Sequence, residues 1–111
     1  MIRGSVYRVD LGDAKRGHEQ RGRRLGICLS DDPGNWSTTT VVPTSTRAQR
    51  AIFRPVLIID GRETVALVDQ LRTIDTRWVE GDPVDHLGHV EMAEVEYALG
   101  RWLRLSLNLR Y

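Results

Sequence analysis

The sequence predicts a mainly β protein with a single helix at its C-terminal end. Several short segments alternate or are rich in β-branched residues, a strong hairpin turn lies near the middle, and only the last apolar segment has a helical period. Five or so short strands with one terminal helix favour a small curved sheet or barrel that carries the helix. At 111 residues, the chain has the length of one domain, so we expect a single domain over residues 1–111.

The first predicted strand covers residues 5–11, where Tyr7, Val9 and Leu11 share one face of an alternating pattern. Such alternation is typical of a half-buried strand. Residues 12–23 follow it. They are polar and charged and contain three glycines, so we expect a long loop there. A basic loop of this length in a small domain is usually functional or disordered.

Two further strands are predicted before the middle of the chain. Residues 25–29 form a short apolar run suited to a buried strand, and residues 38–42 are rich in β-branched side chains. Between them lie Pro33, Gly34 and Asn35, which favour a turn.

The clearest local pattern is a hairpin. Asp60 and Gly61 form a dipeptide typical of two-residue hairpin turns, and they separate predicted strands at residues 53–59 and 64–68. Pro55 has no N–H to donate, which indicates that the first of these strands starts at a sheet edge.

The period of the apolar residues changes in the last third of the chain. Residues 71–79 are predicted as a short strand or turn, whereas residues 90–105 follow a helical period. The apolar face of this predicted helix consists of Met92, Val95, Leu99 and Trp102. Acidic residues lie near its start and arginines near its end, which matches the helix dipole.

Charge is distributed unevenly along the chain. Residues 1–54 carry ten basic and five acidic side chains, whereas residues 55–111 carry six basic and ten acidic ones. The basic excess is concentrated in Lys15, Arg16, Arg21, Arg23 and Arg24. A cluster of this kind is typical of a surface that binds a polyanion.

The composition argues against a membrane protein and a metal site. No apolar segment approaches the roughly 20 residues that a membrane span needs, and the single cysteine, Cys28, does not favour an oxidising compartment. Cys28 lies in an apolar run, apart from the polar stretch with His86 and His89, so a metal site is disfavoured. We therefore expect a cytoplasmic protein without a membrane partner or metal.

Three polar segments stand out, each at the end of a predicted strand. They are residues 17–24 (GHEQRGRR), 41–46 (VVPTST) and 68–75 (VDQLRTID). With the opening residues 3–7 (RGSVY) and the closing residues 92–99 (MAEVEYAL), they resemble the MazF/PemK family of toxin endoribonucleases. The resemblance runs in the same order from about residue 3 to about residue 105.

The resemblance implies an SH3-like barrel of the MazF/PemK/CcdB toxin type and a two-fold homodimer. It implies sequence-specific cleavage of single-stranded RNA, mRNA above all, with no metal or cofactor. The ribose 2′-OH would attack the phosphate and leave a 2′,3′-cyclic phosphate and a 5′-OH end. It also implies inhibition by a cognate MazE-like antitoxin whose extended segment lies over the RNA groove of the dimer.

Two residues match the family's strand-end positions. Arg24 matches the loop arginine, whose charged fork can grip the scissile phosphate and assist the leaving oxygen. Ser45 stands where the family usually has threonine, and its hydroxyl can donate to that phosphate. A surface arginine and a turn-capping serine are the alternatives. Thr46, the next residue, is a neighbouring candidate.

His18 and Asp69 match residues proposed as members of the site in the PemK-like branch. A histidine titrates near neutral pH and can act as base or acid. Asp69 can accept the 2′-OH proton, orient Arg24 or cap the following turn. His18 can instead contact a base. We predict both residues to be catalytic.

Four polar residues are predicted to bind RNA, because single-stranded RNA is recognised at exposed base edges. They are Glu19, Gln20, Thr46 and Gln70. Tryptophans can also stack on bases, and Trp36, which lies beside a predicted turn, is the best candidate for that contact.

Two other functions remain as alternatives. The same fold serves toxins that poison DNA gyrase through their C-terminal helix, although the intact polar segments argue against that function here. A catalytically degenerate RNA-binding module is the third hypothesis, because Leu25 replaces the family's usual proline and Ser45 its usual threonine. RNA cleavage by the purified protein would separate these alternatives.

Overall fold

The fold is built from short antiparallel strands followed by one long helix, in a computed structural model that describes residues 1–13, 17, 19–31 and 36–106. The strands are β1 (Ser5–Asp10), β2 (Arg23–Cys28), β3 (Thr38–Ser45), β4 (Val56–Ile59), β5 (Arg62–Ala66), β6 (Arg72–Asp75) and β7 (Val79–His86). The helix α1 is His89–Leu103, and two short 3₁₀ helices cover Val68–Gln70 and Thr76–Trp78.

The strands form a curled half-barrel in the order β4-β5-β3-β2-β1-β7, and β6 pairs separately with β3. β3 accommodates three partners because different parts of it are used. Its first half, from Thr38 to Val41, pairs with β6, whereas Thr44 and Ser45 pair with β5. The predicted fold, mainly β with one C-terminal helix, is confirmed.

The sheet buries apolar residues on both of its faces. One cluster includes Val6, Ile27 and Val42 and packs against α1, while a second cluster includes Tyr7 and Val9. The alternation predicted for the first strand holds from Tyr7 to Leu11, where Arg8 is exposed, and fails at Val6, which is as fully buried as Val9. Val6 belongs to the cluster that packs against α1, so the second face of the strand is covered there.

The predicted hairpin turn is confirmed, whereas the predicted start of its first strand is wrong. Asp60 and Gly61 both adopt positive φ, 51° and 79°, as the tight turn between β4 and β5 requires. The first strand begins at Val56 rather than at residue 53. The carbonyl of Pro55 still accepts a hydrogen bond from the Ala66 N–H at 2.9 Å, so the proline marks the start of the pairing.

β7 was not predicted, because Gly81, Asp82 and Pro83 are residues that favour turns. In the structure Gly81 has a φ of 71°, and the register between β1 and β7 shifts between Val6 and Arg8. The strand therefore tolerates these residues by forming an irregular, bulged pairing.

The predicted helix is confirmed, but one residue of its apolar face lies elsewhere than expected. Met92, Val95 and Ala98 face the core, whereas Trp102 is 43% exposed and packs on Phe53 with ring centroids 4.7 Å apart. Trp102 therefore packs on the segment before β4 rather than filling the core. The described part of the chain contains no helix that is both long and apolar enough to cross a membrane.

Two neighbouring isoleucines of β4 provide a test of this core. Ile59 is 1% exposed and Ile58 is 60% exposed. We expect Ile59→Ala to lower the free energy of unfolding by about 2–5 kcal/mol, because it leaves a cavity, and Ile58→Ala to lower it by less than about 1 kcal/mol. Urea denaturation measures both changes. Equal losses would contradict the described burial of β4.

Candidate active site

The pairing of β2 with β3 sets the strand ends that carry Arg24 and Ser45 side by side. Gly26 lies opposite Pro43 in this antiparallel pair, and the hydroxyl of Thr44 donates to the carbonyl of Leu25 at 2.7 Å. Continuing the register places Arg24 opposite Ser45. Opposed residues of antiparallel strands project to the same face, so the guanidinium and the hydroxyl share one surface at this end of the sheet.

Ser45 is the last residue of β3, and its hydroxyl oxygen is fixed by the chain that follows. It accepts hydrogen bonds from the backbone N–H groups of Arg47, at 3.1 Å, and Ala48, at 3.0 Å. A serine hydroxyl has two lone pairs and one proton. Because both bonds use lone pairs, the O–H proton remains available for a ligand, and the turn-capping and ligand-binding interpretations are compatible.

Arg24 is the second residue of β2, where the basic loop joins the sheet, and it is exposed. Its Nε donates to the carbonyl of Arg21 at 3.2 Å. Its two terminal nitrogens make no hydrogen bond to the described residues, so the exposed side chain can form a bidentate contact with a phosphate. Arg21 and Arg23 are exposed as well, which keeps this edge of the sheet basic.

Asp69 lies in the 3₁₀ helix after β5 and binds an arginine that the sequence analysis did not single out. Both carboxylate oxygens are engaged by Arg54, with Nε to Oδ1 and Nη2 to Oδ2 each 2.8 Å apart. The pair is largely shielded from solvent. The hydrogen bond that Arg54 donates to Asp69 raises the pKa of the guanidinium. Asp69 therefore orients Arg54, and the described residues show no contact between Asp69 and Arg24, which was one of three roles considered for this aspartate.

Arg54 could not be recognised from local sequence, because it is 15 residues away from Asp69 and precedes a proline at a strand start. It also donates to the carbonyl of Gln49 at 3.3 Å. Arg54 thus ties the segment that follows Ser45 to the segment that carries Asp69. These two segments are held in fixed relation at the candidate site.

A second set of contacts fixes the end of the basic loop. The backbone N–H of Gln20 donates to Oε1 of Gln70 at 2.7 Å, and Arg72 donates to the carbonyl of Gln20. Oε1 of Gln20 and Nε of Arg72 are buried and have no hydrogen-bond partner within the described residues. Two predicted RNA-binding residues, Gln20 and Gln70, are therefore in direct contact.

The remaining predicted residues are less constrained. Glu19 and Thr46 are exposed beside the site, whereas His18 lies outside the described residues. Within the described ranges, no group of three or more histidine, cysteine or acidic side chains is arranged to hold a metal. Cys28 is buried in β2, and Nδ1 of His86 is hydrogen-bonded to Oγ of Ser5 at 2.8 Å.

Comparison with known proteins identifies the family. The family model for PemK-like, MazF-like toxins of type II toxin–antitoxin systems matches residues 2–103. The chain belongs to this family. A candidate toxin of Mycobacterium tuberculosis is 59% identical over 105 residues, covering 95% of this chain and 99% of that protein. Endoribonuclease EndoA of Bacillus subtilis is 35% identical, covering 87% of this chain and 89% of that protein.

Solved structures of MazF toxins have the same fold. The crystal structure of MazF from Deinococcus radiodurans superimposes with a TM-score of 0.81 at 27% identity, covering 95% of this chain and 97% of that one. A mycobacterial endoribonuclease solved in complex with its cognate antitoxin gives a TM-score of 0.76 at 20% identity, covering 95% and 96%. The curled sheet with its C-terminal helix is therefore the MazF-type toxin fold.

The contact between Arg54 and Asp69 is expected to stabilise this fold. Arg54→Ala should lower the free energy of unfolding by about 1–3 kcal/mol, between the values for exposed and buried ion pairs, because it leaves a shielded carboxylate unpaired. Arg50→Ala, which removes an exposed arginine of the same segment, is the control and should have little effect. Urea denaturation at neutral pH measures both, and equal stabilities of the two variants would contradict this role for the pair.

Proposed function

We propose that this chain is a metal-independent endoribonuclease that cuts single-stranded RNA at a specific sequence. The observation that carries the proposal is the pairing of Gly26 with Pro43, because the same register continued to the strand ends supports an approach of Arg24 to Ser45. Membership of the MazF-like toxin family and the 35% identity to Endoribonuclease EndoA support it. mRNA is the proposed substrate, and the cytoplasm, where mRNA is translated, is the proposed location.

In the proposed reaction the ribose 2′-OH attacks the adjacent phosphorus, and the 5′-oxygen of the next nucleotide leaves. The products are a 2′,3′-cyclic phosphate and a 5′-OH end. The attacking hydroxyl must lose a proton, the leaving oxygen must gain one, and the charged intermediate must be stabilised. No metal takes part in this scheme. A guanidinium supplies the positive charge that stabilises the intermediate, and a hydroxyl donates a hydrogen bond to it.

Arg24 and Ser45 are proposed to hold the phosphate. The guanidinium of Arg24 neutralises charge that develops on the non-bridging oxygens, where a preformed donor lowers the barrier most. The hydroxyl of Ser45 donates to one of these oxygens, since its lone pairs are already used by the N–H groups of Arg47 and Ala48. The replacement of the family's usual threonine by serine retains this donor.

Proton transfer is proposed for His18 and Asp69, and both roles stay predictions. Asp69 keeps lone pairs that its bidentate contact with Arg54 does not use, so it can still accept a proton. Glu19, Gln20, Thr46 and Gln70 are the proposed RNA contacts. The bond between Gln20 and Gln70 holds the first and third strand-end segments, residues 17–24 and 68–75, next to each other, so that both can contact the same bases.

The proposed assembly is a homodimer that a cognate antitoxin inhibits. An apolar surface remains exposed where α1 approaches the segment before β4, and it includes Ile52, Pro55, Val90 and Tyr97. Exposed apolar surface of this kind favours association, and a two-fold dimer would cover it on both copies. We propose a MazE-like antitoxin as the inhibitory partner, as expected for a type II system.

The proposed catalytic roles are tested by cleavage of a long unstructured RNA in EDTA. Arg24→Ala should abolish cleavage, and Ser45→Ala should reduce it by about 100-fold, in the range found for loss of one transition-state donor, whereas Ser45→Thr should retain it. Arg8→Ala, at an exposed position of β1, is the control. Mapping the fragment ends should show 5′-OH and cyclic-phosphate termini. A fully active Arg24→Ala variant would exclude this site.

The proposed dimer surface is tested by sedimentation velocity at micromolar protein concentration. The wild-type chain should sediment as a dimer, and Val90→Asp should shift it towards the monomer, because it places a charge in the apolar surface. An aspartate in the first turn of a helix is favourable, so α1 itself should remain intact. Ile2→Asp, at an exposed apolar side chain elsewhere, should leave the dimer unchanged. A wild-type monomer would contradict the proposal.

A further inference from the structure

A groove of about 740 Å³ lies next to the candidate active site, between the ends of β1 and β2 on one side and β6 on the other. Leu11 and Ile74, which belong to the second core cluster, line it. Its volume lies within the roughly 300–1,000 Å³ typical of clefts that bind small ligands. Arg72 lines the groove and also contacts Gln20, so the groove is continuous with the proposed RNA-binding residues.

Trp78 forms an aromatic wall of this groove. It ends the 3₁₀ helix Thr76–Trp78 and is 49% exposed. Because Val79 pairs with Val9, the continued register places Trp78 opposite Asp10 at the end of β1. Trp78 connects this 3₁₀ helix to β7, so its backbone is fixed on both sides. Its half-exposed indole offers a flat apolar surface on which another aromatic ring can stack. Trp36, the tryptophan favoured from sequence, does not line this groove.

The polar groups around Trp78 include hydrogen-bond acceptors in fixed positions. Asp75 accepts the backbone N–H of Arg77 through Oδ1 at 2.9 Å, and Asp10 accepts that of Gly12 through Oδ1 at 2.8 Å. The second oxygen of each carboxylate makes no hydrogen bond within the described residues. The Arg77 N–H lowers the pKa of Asp75, so this carboxylate is ionised at neutral pH.

These charges indicate which part of an RNA strand fits the groove. Asp10, Asp13 and Asp75 line it together with Arg23 and Arg72, so the carboxylates outnumber the guanidinium groups and disfavour a phosphate inside. The exposed guanidinium group of Arg24, at the adjoining strand end and outside this lining, suits a phosphate instead. An unpaired base that leaves this backbone can therefore enter the groove, stack on Trp78 and present its edge to the carboxylates.

We infer that the groove is a nucleobase subsite for an adenine, guanine or cytosine next to the cleaved bond, stacked on Trp78 and read by Asp75. These three bases carry an exocyclic amino group that donates to a carboxylate, whereas uracil has no amino group, and the one N–H of its ring edge is flanked by two carbonyl oxygens that a carboxylate repels. Arg72 also lines the groove, and its guanidinium adds a donor for a ring nitrogen or carbonyl. The inference rests on the proposed RNA cleavage.

The first test measures binding without cleavage. Fluorescence anisotropy with uncleavable 2′-fluoro oligonucleotides A12, C12 and U12, at one fixed salt concentration, should show weaker binding of U12. Trp78→Ala should weaken A12 and C12 binding by about tenfold and U12 much less, in line with the loss of one stacked base. Trp78→Phe should restore much of the affinity. Trp36→Ala is the matched comparison, and an equal loss there would overturn the assignment.

The second test measures base selection during cleavage of a random RNA pool. We expect uracil to be depleted at one position next to the cut, and Asp75→Asn to relieve that depletion. Asparagine still accepts the Arg77 N–H and caps the 3₁₀ helix, but its amide can donate to a uracil carbonyl. Unchanged selection in both Asp75→Asn and Trp78→Ala would overturn the subsite.

The two tests separate the subsite from the proposed function. An RNA pool that stays intact would overturn the proposed cleavage, while a preference for A12 and C12 that depends on Trp78 would still support the subsite. If the wild-type chain cleaves RNA normally and Trp78→Ala binds A12 and C12 as tightly as the wild type does, the subsite is overturned and the proposed nuclease stands. Circular dichroism of each variant establishes that it is folded.

Discussion

The candidate site depends on β3, the strand with which β2, β5 and β6 all pair. Its partners carry the other two polar segments that the sequence singled out, so the three segments meet because of backbone hydrogen bonding. Pro43 lies inside this strand, and its carbonyl accepts the Leu67 N–H at 2.9 Å. A change in the register of β3 would therefore move Arg24, Ser45 and Asp69 relative to one another.

Much of the fold could be predicted because the responsible sequence patterns are local. The Asp60-Gly61 turn needs only two residues with positive φ, and the helix needs only a repeated apolar spacing. β3 was predicted to end at residue 42, because Pro43 disfavours a strand interior. It extends to Ser45, since the proline lacks a donor but keeps the carbonyl that accepts the N–H of Leu67, the residue after β5.

The parts of the site that could not be predicted depend on contacts between distant residues. Arg54 and Asp69 are 15 residues apart, and no short motif links an arginine before a proline to an aspartate after another strand. Gln20 and Gln70 are 50 residues apart, and both were identified only as separate RNA-binding residues. The groove beside Trp78 likewise forms only when β6 folds against β3, while β1 pairs with β7 on the other side.

The basic loop is closed at its base by the backbone itself. Leu11 N–H donates to the carbonyl of Gly22 at 2.9 Å, and Gly22 N–H donates to that of Gly12 at 2.6 Å. These two bonds do not depend on the number of residues in the loop, and doubling the length of a loop costs only about 0.6 kcal/mol. Insertions between Gly12 and Gln20 can therefore be accommodated without a change in the register of the sheet.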